Sequence, residues 1–460
     1  MERTATLADA HQLFLDGAIA LAQAEAAGFR IDIGYLNTTI AATEARIAKG
    51  RERLRADPIF AKWRQAYGVK TNIGSRAQLA HVLFKVLGHP APKQTASGRD
   101  AADEDALSTV DLPFVRNYLK VAGLEQANNT FMKGIRDETI DGFLHPSYNL
   151  HLVKTFRGSC DSPNAQNWPI RDPVIGKLIR TAFIPRPGHL FLEIDYSTIE
   201  VRVAGCYTHD PALIADVLHG DMHKDMAAKC YKLPKEEVTK PIRQTAKGGF
   251  VFAEFYGDWY KKVAVNLWAV VDKERTVSGV LLRDHLAAQG ITELGACDPR
   301  QKHVAGTFED HIQKVEDYFW NDRYSVYGQW KKDWYTAYLR DGGFNTLTGF
   351  RVDGVYTRNE VNNNPIQGSA FHCLLWSMIQ LTRWLKKNKM RTVIMGQVHD
   401  SLLIDCCIEE LADVTAVARR IMTEDIRTAW PWVITPFAVE MEGSLENWWT
   451  KQPLEKLQVA

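Results

Sequence analysis

The chain has 460 residues, 45% hydrophobic and 24% charged, which is the make-up of an ordinary globular protein with room for two to four structural units. No apolar run reaches the ~18 residues of a membrane span and the opening MERTATLADAHQ lacks a signal-peptide core, so a membrane protein is excluded and the cytoplasm is the expected location. The net charge of +1 neither demands nor excludes nucleic acid, because 56 Lys and Arg can gather on one face against 55 acids elsewhere, and seven cysteines without a CxxC pair are expected to be reduced.

In chain order, residues 6 to 27 and 36 to 56 carry helical periodicity, and Ser75 to Leu87 reads as a further helix with Ser75 as its cap. The polar stretch PAPKQTASGRDAADEDA, 90 to 106, reads as an exposed loop. His189 to Asp195 (HLFLEID) has the apolar core of a strand that ends in an acid, and YSTIEVRVAGCY suits a helix. Residues 211 to 345 are mainly helical and hold much of the Trp and Tyr. Beyond Gly349 the pattern returns to strands and a helix, and it reaches the segment VIMGQVHDSLLIDC. There Val393 to Val398 and Leu402 to Cys406 flank a tight break at His399-Asp400-Ser401, the signature of a buried hairpin. The layout predicts an α+β chain whose one sheet is assembled from distant segments.

An acid at the tip of such a hairpin is costly to desolvate unless a cation or donor awaits it, although an Asp capping a surface turn is the plainer alternative. The strand ending in Asp195 can bring a second carboxylate to the same sheet edge. Two close carboxylates repel unless divalent cations lie between them, and hard oxygen donors suit Mg²⁺, which takes its other ligands from water and substrate phosphates. Between them, Arg243 and Lys247 stand four residues apart on one helical face, able to grip a polyphosphate, with Phe250, Phe252, Phe255 and Tyr256 following as stacking surfaces. A merely solvated charged face is the alternative for that pair.

These segments resemble the polymerase portion of the DNA polymerase I family, family A. The family's DYSxIExR motif stands as Asp195-Tyr196-Ser197-Thr198-Ile199-Glu200-Val201-Arg202, its fingers-helix motif as Arg243, Lys247, Phe252 and Tyr256-Gly257, and its His-Asp turn as QVHDS at 397 to 401. TFRGSCDSPNAQNWPIR at 155 to 171, GDMHKDMAA at 220 to 228, NTLTGFR at 345 to 351 and NNPIQGSA at 363 to 370 resemble lesser family motifs in the same order. The resemblance implies a right-hand fold: an N-terminal palm segment at 1–35, a helical thumb at 36–145, palm with the first acidic motif at 146–215, helical fingers at 216–345, and palm with the second acidic motif at 346–460. It implies a primer-dependent, template-directed DNA polymerase, a monomer acting on primer-template DNA and dNTPs, with no proofreading exonuclease on this chain and a phage or virus as a fitting source; editing or replisome proteins would be separate. A single-subunit RNA polymerase and a catalytically silent DNA-binding or processivity protein are the rival readings.

The resemblance also implies roles. Asp195 and Asp400 would hold two Mg²⁺ ions, for which Mn²⁺ can substitute, with the Tyr196 carbonyl as an extra ligand. Arg243, Lys247 and His223 would meet the triphosphate, with Lys247 as proton donor to pyrophosphate; Glu200 would close the space of a ribose 2′-hydroxyl, and Phe252 and Tyr256 would face the nucleotide. Arg157, Arg171, Asn363, Gln367 and His399 would touch primer, template or minor-groove edges. Two departures stand out. Ser401 replaces the family's usual Glu after the His-Asp pair, with Asp405 as a remote compensating candidate. Lys247 to Tyr256 is one residue longer than usual, which at 100° per residue turns Phe252 and Tyr256 away from Arg243 and Lys247. Either Val251 and Phe255 take the aromatic places, or, as preferred, Gly248-Gly249 hosts a one-residue π-bulge. Residues 265 to 305 are extra relative to compact relatives and receive no function.

Overall fold

The computed structural model describes residues 5–91, 100–108, 110–170, 172–298 and 300–458. Much of the loop expected at 90 to 106 lies outside them. Its centre is a five-stranded antiparallel sheet of β1 (His189–Tyr196), β2 (Val393–Val398), β3 (Ser401–Cys407), β4 (Val439–Ser444) and β5 (Gln452–Pro453), in the order β5-β4-β1-β3-β2. Strand alternation decides which core each residue joins. Leu190, Leu192 and Ile194 of β1 enter the main core with Leu402 and Ile404 of β3, while Phe191 and Leu403 point into a second core with Trp168 and Trp448. Because both faces are covered, every residue of β3 is buried, which is why LLIDCC reads as a continuous run rather than an alternation.

Two helices cover the main-core face. Leu7–Ala27 begins at a capping box between Thr6 and Asp9, and Arg358–Lys387 at a second one between Thr357 and Glu360. The long helix retains Pro365 in its second turn. The described residues between 33 and 138 form a helical lobe with its own core, in which Trp63, Leu83, Phe114 and Val115 meet and the Trp63 indole donates to Gln78 Oε1 at 3.0 Å. The helix expected from Ser75 does start on a Ser75 cap and continues as Arg76–His81 and a π-turn Val82–Val86.

The described residues of 211 to 345 are mainly helical as expected up to Asp341, where a short strand Gly343–Asn345 follows; the extra segment holds helix Leu282–Ala288, and its described residues then run without helix or strand to Thr307. That irregular stretch is fixed from outside. The buried Lys261 ammonium donates to Asp298 O at 2.7 Å and to Gln301 O, and lies 3.1 Å from Glu309 Oε1, while Glu309 Oε2 accepts from the Cys297 amide at 2.7 Å.

Candidate active site

The carboxylate pair sits where β1 and the β2–β3 turn meet. Asp195 pairs across the sheet with Ser401 on one side and Glu440 on the other, and Asp400 immediately precedes Ser401. The turn passes through His399 at φ +53° and is pinned by the Tyr196 amide, which donates to Asp400 O at 3.1 Å, and by the Ser401 hydroxyl, which donates to Val398 O at 2.9 Å. Beyond Tyr196 the chain turns through Thr198 at φ +50° into helix Ile199–Thr208, and Arg202 Nε closes this turn on Ser197 O at 2.9 Å. The DYSxIExR pattern therefore has a local reason: its Arg holds the turn that follows its Asp.

Burial pushes the Asp195 carboxyl up to about 7, with the charges of Asp400 and Glu193 adding to it. Burial likewise pushes Asp400 up to about 6, with Glu200 adding and Arg157 opposing. Such a pair is under-compensated by the protein itself and fits a hard divalent cation. Among the described residues no three His, Cys, Asp or Glu side chains cluster as a metal cage. The donor set is thus suited to an ion that keeps water and phosphate ligands. The Tyr196 phenol points away, donating to Met422 O at 3.0 Å and sharing a 2.8 Å bond with Ser377 Oγ, so only the Tyr196 backbone lies beside Asp400.

Asp405 does not compensate for the missing third acid. It is fully buried opposite Phe191, at the far end of β3, where Arg186 and His189 bind it. A further acid beside the pair is Glu440, exposed on β4, whose charge also raises Asp195, though less than Asp400 and Glu193 do. Sequence reading missed it; the alternation of VEME beside a buried run was the available signal, but it did not say which strand would lie next to β1.

The helix facing the pair runs as Lys240–Ala246, a π-helical segment Lys247–Phe252, and Ala253–Phe255. The expected bulge is present and spans the glycine pair. Its effect is rotational: Phe250, Val251 and Phe255 are buried in the core, while Phe252 and Tyr256 turn to the open side. Val251 is thus turned away from the open side, while Phe255, though buried, stands behind Phe252 and Tyr256 in the wall of the same pocket. The Lys247 ammonium lies 5.4 Å from the Phe252 ring centre, and the His223 ring meets Phe252 edge-on at 5.7 Å. Burial and the nearby Lys247 and Arg243 charges hold His223 down at about 4, so its imidazole is neutral at neutral pH, and its buried Nδ1 has no hydrogen-bond partner among the described residues. Arg243 Nε forks onto Asp221 at 3.0 and 2.8 Å, a tie not anticipated from sequence.

Opposite this face, the Tyr256 hydroxyl donates to Glu200 Oε2 at 2.6 Å, and Arg157 lies 3.4 Å from Glu200 Oε1. Glu200, Phe252, Tyr256, Asn363 and Gln367 line one pocket with Tyr327. Asn363 donates its amide to Tyr256 O at 3.0 Å, and His399 occupies the tight turn, with its carbonyl accepting from Gln397. Arg171 lies outside the described residues. The fold thus brings together Asp195, Asp400, Glu200, Arg157, Tyr256, Asn363 and Gln367, and beside them the cluster of Arg243, Lys247, His223 and Phe252.

A sheet carrying two acids, flanked by helical lobes and faced by a helix with cations and aromatics, is the architecture of a right-hand polymerase. The chain belongs to DNA polymerase family A, whose model matches residues 44–276 and 333–449. It is 31% identical over 385 residues to DNA polymerase I of Lactococcus lactis subsp. cremoris, covering 79% of this chain and 38% of that protein. It is 28% identical over 449 residues to the thermostable DNA polymerase I of Thermus aquaticus, covering 93% and 46%. The chain thus spans less than half the length of these relatives. The polymerase domain of Pol1 from M. smegmatis, solved with DNA primer-template and dNTP, superposes with a TM-score of 0.75 at 25% identity, covering 95% of this chain and 70% of that one.

Proposed function

We propose that the chain is a template-directed, primer-dependent DNA polymerase that adds dNTPs to a primer 3′-hydroxyl. The observation that carries this reading is the buried pair Asp195 and Asp400, each held well above the ordinary carboxylate range, facing a helix that presents Lys247 and Phe252 on one side. Two Mg²⁺ ions held by Asp195, Asp400 and the Tyr196 carbonyl would supply an activated primer hydroxyl and neutralise charge on the triphosphate, with Mn²⁺ able to substitute. The rest falls to the chain's own residues. Lys247 meets the β- and γ-phosphates and supplies the proton to departing pyrophosphate, a task Arg243 cannot share because guanidinium does not titrate. Arg243, its Nε held by the Asp221 carboxylate, reaches the phosphates with its terminal NH₂ groups. His223, neutral, donates one hydrogen bond without adding charge.

Glu200, braced by the Tyr256 hydroxyl and by Arg157, closes the space of a ribose 2′-hydroxyl and so selects deoxyribonucleotides. Arg157, Asn363, Gln367 and His399 contact the primer-template near the growing end, where minor-groove acceptors test pair geometry rather than sequence. In this reading the sheet segments are the palm, residues 36–145 the thumb and 216–345 the fingers. Primer extension by the purified protein, with and without Mg²⁺ and with dNTPs against rNTPs, tests it. Extension with dNTPs that vanishes in Asp195→Ala is expected; preference for rNTPs would favour an RNA polymerase, and DNA binding without extension a silent binder.

A further inference from the structure

The helix that presents Phe252 and Tyr256 ends in a way that involves another part of the protein. Its last turn closes as a Schellman motif: Gly257, at φ +83°, donates to Glu254 O at 3.1 Å, and the Asp258 amide donates to Ala253 O at 2.8 Å. These bonds satisfy earlier carbonyls and leave those of Tyr256 and Gly257 facing outwards. Both are taken up by the long helix Arg358–Lys387. Asn363 Nδ2 donates to Tyr256 O at 3.0 Å and Asn359 Nδ2 to Gly257 O at 3.0 Å. The two asparagines are four apart, hence on one face of their helix. The approach is close enough that a Cβ at residue 257 would lie 2.5 Å from the Asn359 amide. A third tie, Tyr256 to Glu200 at 2.6 Å, runs to helix Ile199–Thr208.

We infer that Asn359, together with Asn363, is a positioning residue that caps the nucleotide-facing helix across the cleft and holds Phe252 and Tyr256 seated against Glu200. The inference rests on the polymerase reading for its consequence but not for its geometry. Asn359 is solvent-exposed and contributes to no core, so its amide has no packing role to lose. The helix end is capped by these amides only while it lies on the long helix. Loss of one cap shifts the helix towards unseated states, and a nucleotide that requires the seated state binds more weakly in proportion.

The test compares Asn359→Ala and Asn359→Asp with wild type. Hydrogen exchange of the segment 252–258 in the substrate-free protein is expected to quicken roughly 2- to 10-fold in the Ala variant, the span of one net hydrogen bond. It should quicken at least as much in Asp, which puts a carboxylate against a carbonyl. In primer extension the KM for dNTP should rise by a similar factor, with kcat, the thermal midpoint and the substrate-free affinity for primer-template unchanged. Unchanged exchange at 252–258 overturns the inference, as does a DNA affinity that falls as much as the KM rises, which would make Asn359 a DNA contact instead. Faster exchange in the variants, alongside a wild type that extends no primer, would leave the cap standing and defeat only the polymerase reading.

Discussion

Replacing Asp195 with Asn should abolish nucleotide incorporation and at the same time stabilise the metal-free fold. The Asp195 carboxyl is displaced from 3.8 to about 7, chiefly by burial and then by Asp400 and Glu193. A raised folded-state value means that between pH 4 and 7 the folded protein keeps a proton that the unfolded chain has released, so stability falls as pH rises through that window. At ~1.4 kcal/mol per pH unit, the ionised side chain costs the metal-free fold about 4 kcal/mol at pH 8. Asn carries no charge but still buries an amide, so roughly half of this, about 2 kcal/mol, should be recovered. With an unfolding entropy of ~2.1 cal/mol/K per residue, that raises the midpoint by about 2 °C for this length. Calorimetry in EDTA at pH 8 and pH 4.5 reads it directly: at the lower pH the charge costs only about 1 kcal/mol, less than the buried amide, so the advantage should be lost and turn into a deficit of about 1 kcal/mol. Added Mg²⁺ should then raise the midpoint of the wild type and not of the variant. An Asp195→Asn protein no more stable than wild type at pH 8, or equally favoured at both pH values, would refute the claim that the buried Asp195 carboxylate burdens the fold until a cation arrives.

Gly248→Ala should preserve activity and add up to about 1 kcal/mol of stability by chemical denaturation, because a Cβ there meets nothing within 4 Å and Ala is the better helix former. Gly249→Ala, whose Cβ would come 3.2 Å from Leu267 Cδ2, should gain less. Ser401→Ala should retain most primer-extension activity while Asp400→Asn loses nearly all of it, since the Ser401 hydroxyl serves only the Val398 carbonyl. Glu200→Ala should raise ribonucleotide incorporation relative to deoxyribonucleotide in single-turnover assays, and weaken dNTP binding through the lost Tyr256 bond. The KM for dNTP should show no histidine titration between pH 6 and 8, because His223 is held near 4 and stays neutral throughout.

The elements that sequence made legible are those whose pattern is local. The strand at 189–195 and the hairpin at 393–406 announced themselves by apolar runs ending in acids, and the one extra residue after Lys247 was enough to pose the choice between a bulge and a shifted aromatic set, because helical phase is arithmetic. What sequence left hidden depends on which strands become neighbours. Glu440 lies beside Asp195 only because β4 pairs with β1, and Asp405 is removed from the site only because strand register carries it to the opposite end of β3. The same holds for Asp221, whose grip on Arg243 joins two helices through space, and for Asn359, which reads as an exposed helix residue until the chain it caps is seen.

The buried ammonium of Lys261 has a consequence for how the extra segment can evolve. Its hydrogen bonds go to the main-chain oxygens of Asp298 and Gln301, and the Glu309 carboxylate binds the main-chain nitrogen of Cys297. Two side chains outside the loop thus hold it through its backbone, beside the loop's own Asp298 carboxylate, which accepts from Arg300 N and Gln301 Nε2. Recognition through the main chain tolerates a changed side chain at 297 or 301 more readily than a changed loop length, whereas neutralising Lys261 or Glu309 would strand the other as a buried, uncompensated charge.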